Sequence, residues 1–366
     1  MLSIPGPGRL PSVKPPRARR PTRLAPVILA ALAASVCGRG TDPLRLSGTT
    51  MGTTYEVTIV PAPANDRARG AAAIVQSRLD EVDRLMSTYN PDSELSRFNR
   101  HASTEPFPLS PTTMEVFLIA QDVSRASGGA LDVTVAPVVA LWGFGADASN
   151  RTPPDPQALD AARRMVGYTG LTLDEARGTI AKTRPGIRCD LSAVAKGYAV
   201  DRVVEALEAQ GFTDFLVEVG GEVAGRGLRP DGRPWRVAVE RPDGESDIAL
   251  VVELADRAMA TSGDARQAYV EQGRRLSHLI DPGTGRPAVH DVASVTVIHQ
   301  MAARADALAT ALYVMGPDTG LLVAEWEGVP VYFLVREPGG ALRAVSSPAF
   351  DALLAPAADP ASGNGL

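Results

Sequence analysis

The chain has 366 residues, 45% of them hydrophobic and 22% charged, ample for a large core in one domain or two closely packed ones. Its first 36 residues hold six basic residues and no acid; without them 31 basic residues face 42 acids, a net charge of −11. That balance excludes nucleic acid from the expected partners, because such binding rests on Lys and Arg neutralising phosphates.

Arg9, Lys14, Arg17, Arg19, Arg20 and Arg23 precede Leu24–Val36, an apolar stretch of 13 residues ending at Cys37. A basic region and an apolar run of that length read as an export signal over residues 1–36, too short to span a membrane. Cys37 suggests lipid attachment after cleavage, although Val36 stands where such signals carry Gly, Ala or Ser. The expectation is an exported inner-membrane lipoprotein facing the periplasm, held by its N-terminal lipid or by an uncleaved signal anchor. Beyond this region no apolar run looks long enough to span a membrane. Residues 37–45 read as a tether, 46–345 as the folded domain and 346–366, rich in Ala, Pro, Gly and Ser, as a flexible tail.

Within the domain, Gly48–Thr53 (GTTMGT) leads into a strand at Thr53–Val60, where β-formers alternate. Ala71–Leu85 has apolar residues near helical spacing. Pro111–Ser127 reads as a helix capped by Ser110 and closed by Gly128-Gly129. Ala130–Leu141 (ALDVTVAPVVAL) sets Asp132 among apolar β-formers, where an acid is costly unless paired or bound to a ligand. A helix follows Pro156, and Thr179–Ile187 has the composition of strands around a turn at Pro185-Gly186. Asp190 leads into a helix running to Gln210. Phe215–Val219, Gly220-Gly221 and Glu222–Arg226 read as strand, tight reversal and strand. Trp235–Glu240 and Ile248–Leu254 look like further strands of the same sheet. Val292–His299 is strand, Ala302–Met315 helix and Val331–Arg336 a late strand. Hairpins with inserted helices indicate an α+β fold with a mostly antiparallel sheet.

Two segments carry the strongest chemistry. In Arg304–Leu312 (RADALATAL), Asp306 and Thr310 lie four apart, so a helix puts a carboxylate and a hydroxyl on one face, an oxygen pair that suits Mg²⁺. Alone, such a pair is more often a solvated acid and a filler. Asp190–Asp201 (DLSAVAKGYAVD) offers an acid, small residues and Lys196 at a helix start, where free N–H groups and the dipole favour phosphate. After the signal only Lys182 and Lys196 remain as lysines.

Tyr89, on the polar stretch Met86–Asn99, is placed to stack on a flat ring or to pack on the surface; Met51 offers an adaptable apolar contact. His278, before an Asp-Pro turn in Ser277–Ala288 (SHLIDPGTGRPA), has the free pKa of a proton acceptor near neutrality, though a lone histidine is more often structural. Cys189 reads as a buried small hydrophobe. His101, His290 and His299 show no zinc-ligand spacing with either cysteine.

In order, GTTMGT, STYNPDSELSRFN, ALDVTVAP, DLSAVAKGYAVD, VEVGGEV, TSGD, SHLIDPGTG and ADALATAL resemble the FAD:protein FMN transferase (ApbE) family, also described as thiamine-biosynthesis lipoproteins. The resemblance spans roughly Leu46 to Arg336. It implies a T-fold-like α+β architecture, FAD as substrate and Mg²⁺ at its diphosphate. The implied reaction moves FMN from FAD onto a Thr or Ser hydroxyl of an acceptor flavoprotein, such as a membrane redox-complex subunit, with AMP leaving. Met51, Tyr89, Ala130, Leu131, Asp132, Asp190, Lys196 and Leu279 match the FAD-contacting places. The Ala193 carbonyl, Asp306 and Thr310 match the metal ligands, and His278 is the expected base. FAD hydrolysis to FMN and AMP, or a non-catalytic FAD-binding lipoprotein, are the competing readings.

Overall fold

Strands apolar on both faces fill the middle of a sheet, and strands apolar on one face end up at its edges. In the computed structural model, which describes residues 42–144, 153–242, 248–264, 269–271 and 274–354, this sorting gives an eight-stranded sheet. From edge to edge it runs Leu44–Thr50, Thr53–Val60, Asp214–Val219, Glu222–Arg226, Ala258–Gly263, Val292–His299, Val331–Arg336 and Leu342–Ser346. Every neighbouring pair is antiparallel. Val292–His299 and Val331–Arg336 are buried almost throughout, whereas Leu44–Thr50 alternates and Leu342–Ser346 is half-exposed.

Among the described residues eight α-helices accompany the sheet: α1 (Asn65–Met86), α2 (Glu94–Arg100), α3 (Pro111–Ala126), α4 (Ala136–Leu141), α5 (Pro156–Arg163), α6 (Ser192–Ala209), α7 (Ala302–Trp326) and α8 (Pro348–Leu354). α1 buries Ala71, Val75, Leu79, Val82 and Leu85; of the stripe Ile74, Val75, Leu79, Val82 and Leu85 read from the sequence, Ile74 is only half-buried. Ser110 caps α3 by accepting from the Thr113 amide, with Pro111 in the first turn. α6 and α7 pack on each other and on the sheet, with α1 against α6 and α3 against α7.

α7 passes from the predicted Ala302–Met315 segment into a second one through Gly316, at φ 74° and ψ 175°, followed by Pro317. By length and composition α7 is apolar enough to cross a membrane, where the sequence reading saw no such run, but it is broken at Gly316 and packs on α6, α3 and the sheet.

Several expectations need correction. Strand structure begins at Leu44, inside the stretch read as tether, so GTTMGT spans a hairpin rather than preceding the first strand. Its half-exposed edge position weakened the hydrophobic signal. Trp235–Glu240 and Ile248–Leu254 pair with each other as a separate two-stranded sheet. Alternation identifies a strand but not its partner; Trp235 helps tie this pair to the main sheet, its Nε1 donating to the Arg226 carbonyl at 2.8 Å. The β-formers after Asp132 form a three-ten turn, Val133–Val135, and then α4, because Asp132 caps the turn and Pro137 opens the helix.

The strand predicted from Thr179 stops at Lys182 and joins Phe107–Pro108 and Leu171–Asp174. Lys182 is buried there, its Nζ donating to the carbonyls of Phe98 (2.8 Å) and His101 (3.1 Å) at the end of α2. Within the stretch read as tail, α8 buries Phe350 completely against Tyr332, ring centroids 5.2 Å apart. The signal, Cys37, residues 38–41 of the tether and residues 355–366 lie outside the described residues.

Candidate active site

Register brings the polar turns to one end of the sheet. Tyr55 pairs with Val219, so the hairpin tips Met51-Gly52 and Gly220-Gly221 lie side by side, with the Gly220 amide donating to the Thr54 carbonyl at 3.0 Å. Glu222 opens the next strand, and Ala258–Gly263 runs antiparallel to it, so Ser262 and Asp264 arrive at the same end. Met51 sits at φ 50°, an uncommon conformation for a side-chain-bearing residue. Gly220, at φ 62°, also leaves room: a Cβ there would meet Thr53 Cγ2 at 2.8 Å and Lys196 Cδ at 3.3 Å.

α6 and α7 deliver the charged groups. A Cβ on Gly197 would fall 2.2 Å from the Ala302 carbonyl oxygen, so only glycine lets the backbones approach this closely. At that crossing the Gly197 amide donates to Asp306 Oδ2 at 3.0 Å. Lys196 Nζ lies 2.6 Å from Glu222 Oε1 and 3.6 Å from Asp306 Oδ1, with both carboxylates buried. Burial works against the Lys196 charge, but Asp306 and Glu222 together hold its pKa above the ordinary lysine range. Burial raises Asp306 and Glu222, while Lys196 pulls each back down. Asp201, the last acid of the α6 motif, accepts from the Ala302 and Ala303 amides, both at 2.8 Å, and so caps α7. Burial pushes its carboxyl up to about 6.

The remaining predicted residues surround this centre unevenly. His278 meets the Phe144 ring edge-on at 6.4 Å, and its Nδ1 is buried without a hydrogen-bond partner. Burial, then the positive charge of Lys196, lowers its pKa to about 4, with Asp264 opposing them. Asp264 is gripped by Arg336 through two bonds of 2.6 and 2.9 Å.

Asp132 commits its carboxylate to the protein: Oδ1 accepts from the Thr134 amide and hydroxyl, and Oδ2 from the Tyr168 amide. Burial still raises its pKa. The Asp190 amide donates to the Val133 carbonyl at 2.7 Å, joining that segment to the start of α6, where Asp190 Oδ1 accepts from the Ser192 amide. Ala130 and Leu279 are half-buried and Leu131 is buried, while Tyr89 stands 73% exposed on its loop. Cys189 is fully buried.

The oxygen set fits a hard divalent cation. The Gly197 amide, whose acceptor in a regular helix is the Ala193 carbonyl, donates to Asp306 Oδ2 at 3.0 Å, so the crossing sets that carboxylate beside the α6 backbone. One turn on, Thr310 Oγ1 lies 3.1 Å from Ser262 Oγ. Among the described residues no group of three His, Cys, Asp or Glu side chains gathers to hold a metal ion. A carboxylate, a hydroxyl and a carbonyl, completed by water and phosphate oxygens, are instead what Mg²⁺ takes. Residue-by-residue reading missed Glu222, Asp264, Ser262 and Asp201, though each stands in a motif already quoted: VEVGGEV, TSGD and DLSAVAKGYAVD. The available signal was an acid or hydroxyl directly beside glycine or closing a helical motif.

Comparison with known proteins places the fold and the family. The model of the ApbE family matches residues 51–333. An FAD:protein FMN transferase of Vibrio cholerae serotype O1 is 42% identical over 312 residues, 85% of this chain and 93% of that protein. One of Escherichia coli K12 is 38% identical over 319 residues, 86% of this chain and 90% of that protein. The structure of flavin transferase ApbE from Vibrio cholerae aligns with a TM-score of 0.78 at 42% identity, covering 85% of this chain and 99% of that one. The apo form of Pseudomonas stutzeri flavinyl transferase ApbE aligns at 0.79 and 37% identity, covering 86% and 97%. With residues 51–333 matched by the family model and the fold matched by solved relatives over most of the chain, the chain belongs to the ApbE family.

Proposed function

We propose that this chain is an FAD:protein FMN transferase, moving FMN from FAD onto a Thr or Ser hydroxyl of an acceptor flavoprotein and releasing AMP. The observation that carries the reading is the convergence of Lys196, Asp306 and the Gly197 amide at the crossing of α6 and α7. It puts a cation and an oxygen ligand together about one turn from the start of α6 at Ser192, where a diphosphate needs them. The curated relatives bearing that activity name support the chemistry.

In this reading the acceptor oxygen bonds to the flavin-side phosphorus as the bond to the AMP oxygen breaks. His278 is neutral at neutral pH, and with Nδ1 buried, Nε2 is the nitrogen that takes the hydroxyl proton. Lys196 and the start of α6 steady the diphosphate. The Ala193 carbonyl, Asp306 and Thr310 would hold Mg²⁺, which would neutralise charge developing on the phosphate oxygens. Met51, Ala130, Leu131, Asp132, Asp190 and Leu279 line the FAD-binding surface, with Asp132 contributing backbone because its carboxylate is engaged, and exposed Tyr89 stacks on a ring. The basic and apolar segments before Cys37 support export and a membrane anchor, which would put the enzyme beside acceptors of membrane redox complexes in the periplasm.

The test is intact-mass spectrometry of an acceptor carrying an accessible Thr site after incubation with protein, FAD and Mg²⁺. Addition of one FMN with matching AMP, abolished by Asp306→Ala, is the expected result. AMP and free FMN without adduct would indicate hydrolysis, and bound FAD without AMP a storage role.

A further inference from the structure

We propose that Glu222 is a positioning residue that draws the Lys196 ammonium away from Asp306 and so keeps the Asp306 carboxylate open to a divalent cation. The inference rests on the transferase reading for the place of that cation. Lys196 stands between two buried carboxylates and leans to one of them, 2.6 Å from Glu222 and 3.6 Å from Asp306. Its stem runs along Gly220, where even a Cβ would come within 3.3 Å of Cδ. A lysine head is a compact charge on a flexible stem, so which carboxylate holds it is set by their relative pull.

Glu222 is only 3% exposed, and its Oε2 is buried with no hydrogen-bond partner. A carboxylate oxygen left unbonded in the interior is costly and contributes nothing as a structural strut. What Glu222 contributes is a negative charge beside Lys196, in an environment where screening is weak. Without that charge, Asp306 is the carboxylate left beside the ammonium among the described residues, and Lys196 then competes with a divalent cation for the same oxygen.

The experiment titrates Mn²⁺ into the full chain without FAD and reads free Mn²⁺ by electron paramagnetic resonance, with thermal melts confirming that each variant folds. Glu222→Gln, which keeps the shape and removes the charge, is expected to weaken Mn²⁺ binding roughly tenfold. Lys196→Met is expected to tighten it, and the double variant Glu222→Gln/Lys196→Met to recover at least wild-type affinity, because the competing ammonium is gone. Unchanged binding in Glu222→Gln, or a double variant as weak as Glu222→Gln, would overturn the proposal. If Glu222→Gln fails to fold, Lys196→Met decides: unchanged affinity there overturns the idea. Wild-type binding that survives Asp306→Ala would instead remove the cation site itself, and the proposal with it.

Discussion

The Gly197 amide reaches the Asp306 carboxylate at 3.0 Å because α6 and α7 touch backbone to backbone at that point, with Ala303 Cα only 2.8 Å from where a Gly197 Cβ would lie. Gly197→Ala must push the helices apart. Overpacking of this kind costs about 1–3 kcal/mol or more, and the Asp306 oxygens move with the helix. Urea unfolding should show the loss of stability, and Mn²⁺ affinity should fall in the variant that still folds. A wild-type melting curve would mean that the crossing is looser than described.

Asp201 supplies both hydrogen bonds at the start of α7. Asp201→Ala should lower stability by about 1–2 kcal/mol, the usual worth of a helix cap. Asp201→Asn retains one acceptor oxygen and turns an N–H₂ toward an amide, so it should recover only part of the loss. Chemical denaturation near neutral pH measures both.

His278 makes stability depend on pH. Its folded pKa is depressed from 6.5 to about 4, so the unfolded chain takes up the proton first. The contribution is complete above the unfolded value and lost as pH falls through the window from 6.5 to about 4, amounting to about 3 kcal/mol at most. His278→Gln should flatten that part of the stability profile. In the transfer assay, His278→Ala should slow FMN transfer by roughly 10²–10⁴, the usual worth of a general base. Retained transfer would remove His278 from the proton step.

Phe350→Ala tests whether the last described helix is part of the fold. Phe350 is fully buried against Tyr332, and truncating such a ring typically costs about 3–5 kcal/mol. Thermal unfolding with little change would restore the view of this segment as a dispensable tail.

The elements most legible in the sequence were those with a local cause. Thr53–Val60, Val292–His299 and Val331–Arg336 alternate or run apolar, and Ser110-Pro111 announces the start of α3. Asp306 and Thr310 were readable because their spacing matches one helical turn. What could not be read was set by distant partners. Nothing near Trp235 says that its strand leaves the main sheet, and nothing near Asp132 says that the Tyr168 amide, 36 residues on, satisfies it. Glu222 was hidden for the same reason: its significance comes from Lys196, which precedes it by 26 residues.

Trp142 gives the site a built-in optical probe. It is buried, its Nε1 donates to the Gly285 carbonyl at 2.9 Å, and it shares an apolar cluster with Ile280, two residues from His278. Indole emission overlaps flavin absorption, so FAD bound here should quench Trp142 by energy transfer. Trp326, 85% exposed at the far end of α7, would be quenched by a collisional agent in solvent instead. Trp235, the third and also buried indole, is first replaced by Phe; on that background Trp142→Phe and Trp326→Phe separate the two signals and let flavin arrival and departure be followed in real time without any added label.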